Sequence, residues 1–140
     1  MEFSIGSQFS REFSFEEGNI TFKLAEELNV FFKGKDYGKR IEKIYTSVIC
    51  VSQGFEPFFP IRPLKVMKKK PALEYEIKLD FETFKSSNEE QRKSLLVNEF
   101  FKMTKEYLME KTIKGFEKEQ FINDLENYFK EHSYLKEKVT

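Results

Sequence analysis

Apolar and polar residues alternate strictly from Leu73 to Phe81. Leu73, Tyr75, Ile77, Leu79 and Phe81 interleave with Glu74, Glu76, Lys78 and Asp80, and Glu82 continues the polar row. Side chains on a strand point alternately to its two faces. The spacing therefore predicts a strand over 73–84, apolar on one face and mainly acidic on the other. Residues 2–9 alternate more weakly, with Phe3, Ile5 and Ser7 set against Glu2, Ser4 and Gly6, and predict a short first strand. Residues 41–52 are β-branched and end in a nearly continuous apolar run. They predict a central strand covered on both faces at its far end.

Other segments follow a helical period. Ile20, Leu24, Leu28 and Phe31 or Phe32 recur around Ala25-Glu26-Glu27-Leu28, and Gly34 supplies a stop, which predicts a helix over 16–33. The alternative is a hairpin about Glu17-Gly18-Asn19, and the two remain open. Ser87 and Glu90 have the spacing of a capping box. They open a long amphipathic helix over 88–113, with rows Leu96, Phe100, Met103, Tyr107 and Val97, Phe101, Thr104, Leu108. Gly115 ends it, and a further helix over 117–131 turns Phe121, Ile122, Leu125, Tyr128 and Phe129 inward. Residues 35–40 read as a turn. Residues 53–63, with Gly54, Pro57, Pro60 and Pro63, read as irregular. The tail 133–140 is charged and expected to fray.

The order is β-α-β-β-α-α. It predicts an α+β two-layer sandwich, with a mixed sheet of about three strands and the helices packed on one face. The first two strands should be parallel. The third is expected to return antiparallel through the Pro-rich segment. One domain over 1–140 accommodates everything.

Composition changes the picture little. The chain has 17 Phe, no Trp, and only Ala25 and Ala72 as alanines, so the core is expected to be built from Phe, Leu and Ile. Net charge is zero. The first 70 residues carry 12 basic and 9 acidic side chains, the last 70 carry 12 and 15, and this mild dipole is weak support for nucleic-acid binding. The N-terminus has no basic segment followed by an apolar one, and no apolar run approaches the ~20 residues that span a bilayer. With a single cysteine, these features point to a cytoplasmic, soluble protein.

No segment carries a recognisable catalytic motif. Cys50 lies in an apolar run and reads as a buried thiol, and His132, the one histidine, reads as a surface or C-terminal capping residue. One His and one Cys leave no transition-metal site, and no phosphate-cradling glycine loop is present, so neither catalytic residues nor cofactors are expected. Glu74, Glu76, Asp80 and Glu82 form the candidate docking face, an acidic strip on a rigid strand. Arg62, Lys65, Lys68, Lys69 and Lys70 form a basic segment without interleaved acids. It is either a nucleic-acid contact or an edge guarded by lysines. Phe55, Phe58 and Phe59, with Ile61, either plug the sheet edge or form an apolar patch for a partner.

The turn Lys35-Asp36-Tyr37-Gly38-Lys39, the strand beginning Ile41-Glu42-Lys43-Ile44-Tyr45, the strand Glu74–Phe84 and the two closing helices together resemble immunity-protein family 44 of bacterial polymorphic toxin systems. The resemblance spans about residues 3–130. It implies a small cytosolic, non-enzymatic protein that binds a cognate toxin domain and protects the producing cell by occluding the toxin's active site or substrate groove. It carries over no site residues. The alternative is a nucleic-acid-associated or regulatory domain using residues 62–70.

Overall fold

A computed structural model describes residues 1–9, 19–38, 41–50, 64–67 and 71–134. Four strands, β1 (Glu2–Phe9), β2 (Lys43–Cys50), β3 (Lys65–Met67) and β4 (Ala72–Lys78), form one open mixed sheet in the order β1-β2-β4-β3. Among the described residues four helices accompany it: α1 (Ile20–Phe32), α2 (Phe81–Ser86), α3 (Glu89–Glu110) and α4 (Lys118–Glu131). The α+β class holds, and the helix expected over 16–33 is found at Ile20–Phe32, with residues 16–18 outside the described residues. The sheet gains one strand over the three expected.

β1 and β2 are parallel, as a strand–helix–strand unit requires. The expected antiparallel return of the third strand is corrected. β4 runs parallel to β2, with Ile44 opposite Leu73 and Val48 opposite Ile77. The antiparallel leg is β3, which pairs Lys65 with Glu74 and Met67 with Ala72. A three-residue strand leaves almost no periodic signal, and β3 reverses the chain before β4 begins.

The alternating pattern also overran its strand. β4 stops at Lys78, and Phe81–Ser86 is helix α2. Asp80 explains the switch: its carboxylate accepts from the Thr83 N–H (2.9 Å) and the Thr83 hydroxyl (2.7 Å), an N-cap that starts a helix. Leu79 and Phe81 are still buried as the alternation predicts. The capping box of the long helix sits one residue later than expected, on Asn88 and Gln91. Asn88 Oδ1 accepts from the Gln91 N–H (2.8 Å), and Gln91 Oε1 accepts from the Asn88 N–H (3.0 Å). Ser87 is already used to close α2, with its hydroxyl on the Thr83 carbonyl (2.6 Å). Arg92 bridges the two helices by donating to the Phe84 and Lys85 carbonyls (2.8 and 3.0 Å).

Phe3, Ile5, Ile44, Thr46, Val48, Leu73, Tyr75 and Ile77 make the buried face of the sheet. Helices α1, α3 and α4 pack there. Phe121 of α4 stacks on Phe3 and meets Phe32 of α1, with ring centroids 6.1 and 5.5 Å apart. Tyr75 shares a hydroxyl hydrogen bond with Thr104 of α3 (2.6 Å), and burial pushes its phenol up to about 12. β2 is central, and Val48, Ile49 and Cys50 are all buried at its far end, as expected.

The Asp36-Tyr37-Gly38 turn docks on the α3–α4 connection. Asp36 Oδ1 accepts from the Gly38 N–H (2.9 Å), and the Tyr37 carbonyl accepts from the Glu117 N–H (2.8 Å). Tyr37 is buried, with its ring edge-on to Phe121 and its hydroxyl donating to Asp124. Gly38 has φ +118°, and a Cβ there would lie 1.8 Å from the Gly115 carbonyl oxygen. Only glycine allows two backbones to approach this closely.

Candidate functional site

The four carboxylates predicted as one strand face are divided by the fold. Glu74 and Glu76 share the face of β4 opposite the core, and both are half-buried. Asp80 is committed to capping α2. Its hydrogen bonds from Thr83, assisted by Lys78, hold the carboxyl below its ordinary range against a small opposing effect of desolvation. Glu82 is exposed in the first turn of α2. The acidic strip is therefore two strand residues followed by a helix start.

Sequence reasoning missed the larger acidic feature. Tyr107 of α3 packs edge-on against Tyr75 of β4, with centroids 5.8 Å apart. Burial raises its phenol, and the charges of Glu106, Glu110, Glu99 and Glu76 raise it further. Three of these carboxylates come from α3 and one from β4. Their charges bear on Tyr107 where α3 meets β4. Glu99, Glu106 and Glu110 lie seven and four residues apart, which is one side of a helix. That spacing was readable. Which side faced β4 was not. Glu99 and Glu106 also line a shallow depression of about 600 Å³ on α3, beside Phe101 and Met109. Lys102 and Lys105 line it too, so the depression itself is mixed in charge.

Of the basic segment, Lys65 is described: it is exposed on β3, opposite Glu74 in register. Arg62, Lys68, Lys69 and Lys70 lie outside the described residues, as do Phe55, Phe58 and Phe59. Cys50 is fully buried. Burial pushes its thiol up to about 11, Asp80 adds to this and Arg92 opposes it, which leaves a poor nucleophile. His132 sits at the end of α4 with Nδ1 2.9 Å from the Tyr128 carbonyl and its ring against Tyr128. That is a capping position. Among the described residues no three His, Cys, Asp or Glu side chains gather as a metal site, and no helix is long and apolar enough to cross a membrane.

A further, half-buried carboxylate is structural. Glu27 of α1 accepts from the Tyr128 hydroxyl of α4 (2.5 Å) and pairs with Lys93 of α3 (3.1 Å). Burial pushes its carboxyl up, but hydrogen bonds from Tyr128, Tyr134 and Lys93 outweigh burial and leave it below the ordinary range. Three helices meet at this one side chain.

The arrangement offers an acid-bordered surface and no assembled catalytic constellation among the described residues. No significant match was found among curated proteins or solved structures. Residues 1–131 match the family described as immunity protein 44. Such proteins are generally non-enzymatic and act by neutralising a toxin. The chain belongs to the immunity protein 44 family.

Proposed function

We propose that this protein acts in the cytoplasm, binding a cognate toxin domain and covering its active site or substrate groove. Occlusion needs no chemistry from the immunity protein. It needs a surface that keeps its shape and matches the toxin in charge. The observation that carries this reading is the packing of Tyr107 of α3 on Tyr75 at the β4–α3 border, where the charges of Glu76, Glu99, Glu106 and Glu110 bear on the ring. Glu74 extends it along β4.

A toxin that attacks nucleic acid presents a basic groove, because it has to hold phosphates. An acidic border steers such a groove into encounter and competes with its substrate. Tyr107 adds an aromatic ring of the kind enriched at interface centres.

The triple variant Glu76→Lys, Glu106→Lys, Glu110→Lys tests the surface. Association with the toxin domain should slow several-fold and lose most of its salt dependence, while the melting temperature shifts by a few degrees at most. Unchanged kinetics and unchanged protection of cells would eliminate the border. The Phe55/Phe58/Phe59 segment would then become the leading surface.

A further inference from the structure

Three hydroxyls meet in the buried layer between the sheet and α3. They belong to Thr46 of β2, Tyr75 of β4 and Thr104 of α3, and all three residues are buried. Thr46 and Tyr75 are direct partners in the β2–β4 register. The Tyr75 hydroxyl nevertheless makes its 2.6 Å hydrogen bond across the layer, to Thr104. Thr46 Oγ1 completes no hydrogen bond, though it lies beside the phenol and favours its ionised form. The phenol thus has one partner on the helix and a second hydroxyl in reserve within the sheet.

Apolar packing alone sets the rotation of α3 about its own axis only loosely. Leu96, Val97, Phe100, Met103, Tyr107 and Leu108 spread over roughly 140° of the helix surface at about 100° per residue. A stripe that broad can face the sheet in more than one orientation, and apolar cores lose uniqueness before they lose stability. A buried hydrogen bond is less forgiving. Turning the helix breaks it and strands a phenol hydroxyl away from water. Tyr75 is also gripped a second time by α3, because its ring meets Tyr107 one turn beyond Thr104. Thr104, Tyr107 and Glu110 are three residues apart, so each step moves about 60° round the helix in the same direction. The row runs from buried through half-buried to exposed. One further step of rotation would bury Tyr107 and bring Glu110 to the sheet, or carry Tyr107 out into solvent.

We propose that Thr104 is a positioning residue for the binding surface: by holding the Tyr75 hydroxyl it fixes the rotation of α3, and with it the placement of Tyr107, Glu106 and Glu110. Its part in recognition rests on the Tyr107 border being where the toxin binds. Its hold on the helix does not.

Thr104→Val keeps the side-chain shape and removes the hydroxyl. The phenol can then turn to Thr46, so the fold should survive. Nuclear magnetic resonance of the free protein reads the rotation. The wild type should give one set of Tyr107 ring signals in contact with Tyr75, and Thr104→Val should broaden or split them. Thr104→Ser restores a hydroxyl and should return the wild-type pattern. Thr46→Val spares the Thr104 bond and should keep it. With the toxin domain, Thr104→Val should speed dissociation several-fold, and Thr104→Ser should reverse the change. If Thr104→Val does not fold, Tyr75→Phe decides by the same ring contacts, since Thr104 can then bond back to its own helix. Wild-type ring signals in the variant that lacks the hydrogen bond would overturn the proposal, as would a Thr104→Ser protein that behaves like Thr104→Val. Split signals with unaltered toxin dissociation would overturn it too. The Glu76, Glu106 and Glu110 triple lysine variant then locates the fault: it weakens binding if Thr104 was misjudged, and leaves binding unchanged if the border was.

Discussion

Tyr37 and Tyr107, two of the tyrosines that sit beside carboxylates in this molecule, are held in opposite ways. Tyr37 is buried and donates its hydroxyl directly to Asp124, and the turn that carries it is clamped by backbone bonds and a glycine–glycine approach. Tyr107 is half-buried, and four carboxylates bear on it through their charges. In both, burial is the first cause of a raised phenol pKa and carboxylates the second. The titration behaviour is alike, but the structural roles differ. The first region is fixed by short-range geometry, so changing it should cost stability. The second is a field at a surface, so changing it should cost encounter with a partner.

The sharpest way to break this contrast is at glycine. Gly34 and Gly38 both have positive φ, but a Cβ at Gly34 meets nothing within 4 Å. Gly34→Ala should cost roughly 1–2 kcal/mol, the conformational penalty alone. Gly38→Ala adds a collision with the Gly115 carbonyl and should cost more than about 4 kcal/mol. Chemical denaturation of both variants reads the difference, and equal midpoints would mean the turn is not clamped.

Glu27 gives an intermediate effect with a signature in pH. Its folded pKa lies below the unfolded one, so its contribution is fully present above the ordinary Glu value of about 4.3. That contribution fades as pH falls through the depressed folded value. Glu27→Gln should lower stability by about 1–2 kcal/mol at neutral pH, the loss of hydrogen bonds to a charged group. The deficit should shrink as the solution is acidified. A deficit that is constant across the acid limb would contradict the assigned state of the carboxyl.

Of the two tyrosines, Tyr37 matches Glu27 in effect and Tyr107 gives the smallest. Tyr37→Phe leaves Asp124 with Gln120 as its remaining side-chain partner and should cost about 1–2 kcal/mol. Tyr107→Phe should change stability by no more than about 0.5 kcal/mol. A larger loss at Tyr107 would erase the distinction between the two regions.

How much of this was visible in the sequence depends on the periods involved. β4 and the long helix were legible because their apolar spacing runs for many residues. The strand end at Lys78 was hidden, because Leu79 and Phe81 continue the two-residue alternation by coincidence. Phe81 and Phe84 are also three apart, the spacing of one helical face, and Asp80-Phe81-Glu82-Thr83 was a readable cap. The role of the Lys35–Lys39 phrase was not readable. Nothing local in Asp36-Tyr37-Gly38 says that its partners lie near residues 115–124. The Tyr107 border was hidden for the same reason: Glu76 and Glu110 become neighbours only through the packing of α3 on β4.

The Phe121 contacts also have a consequence for the time course of synthesis. Phe3, Phe32 and Tyr37 emerge from the ribosome long before the α4 ring that covers them. At ~5–20 residues per second, roughly ten seconds separate the two events. During that interval the nascent amino-terminal half exposes aromatic surface with no native cover, and it is then a natural client for chaperones. A ribosome that stalls before α4 would release a chain unable to close its core.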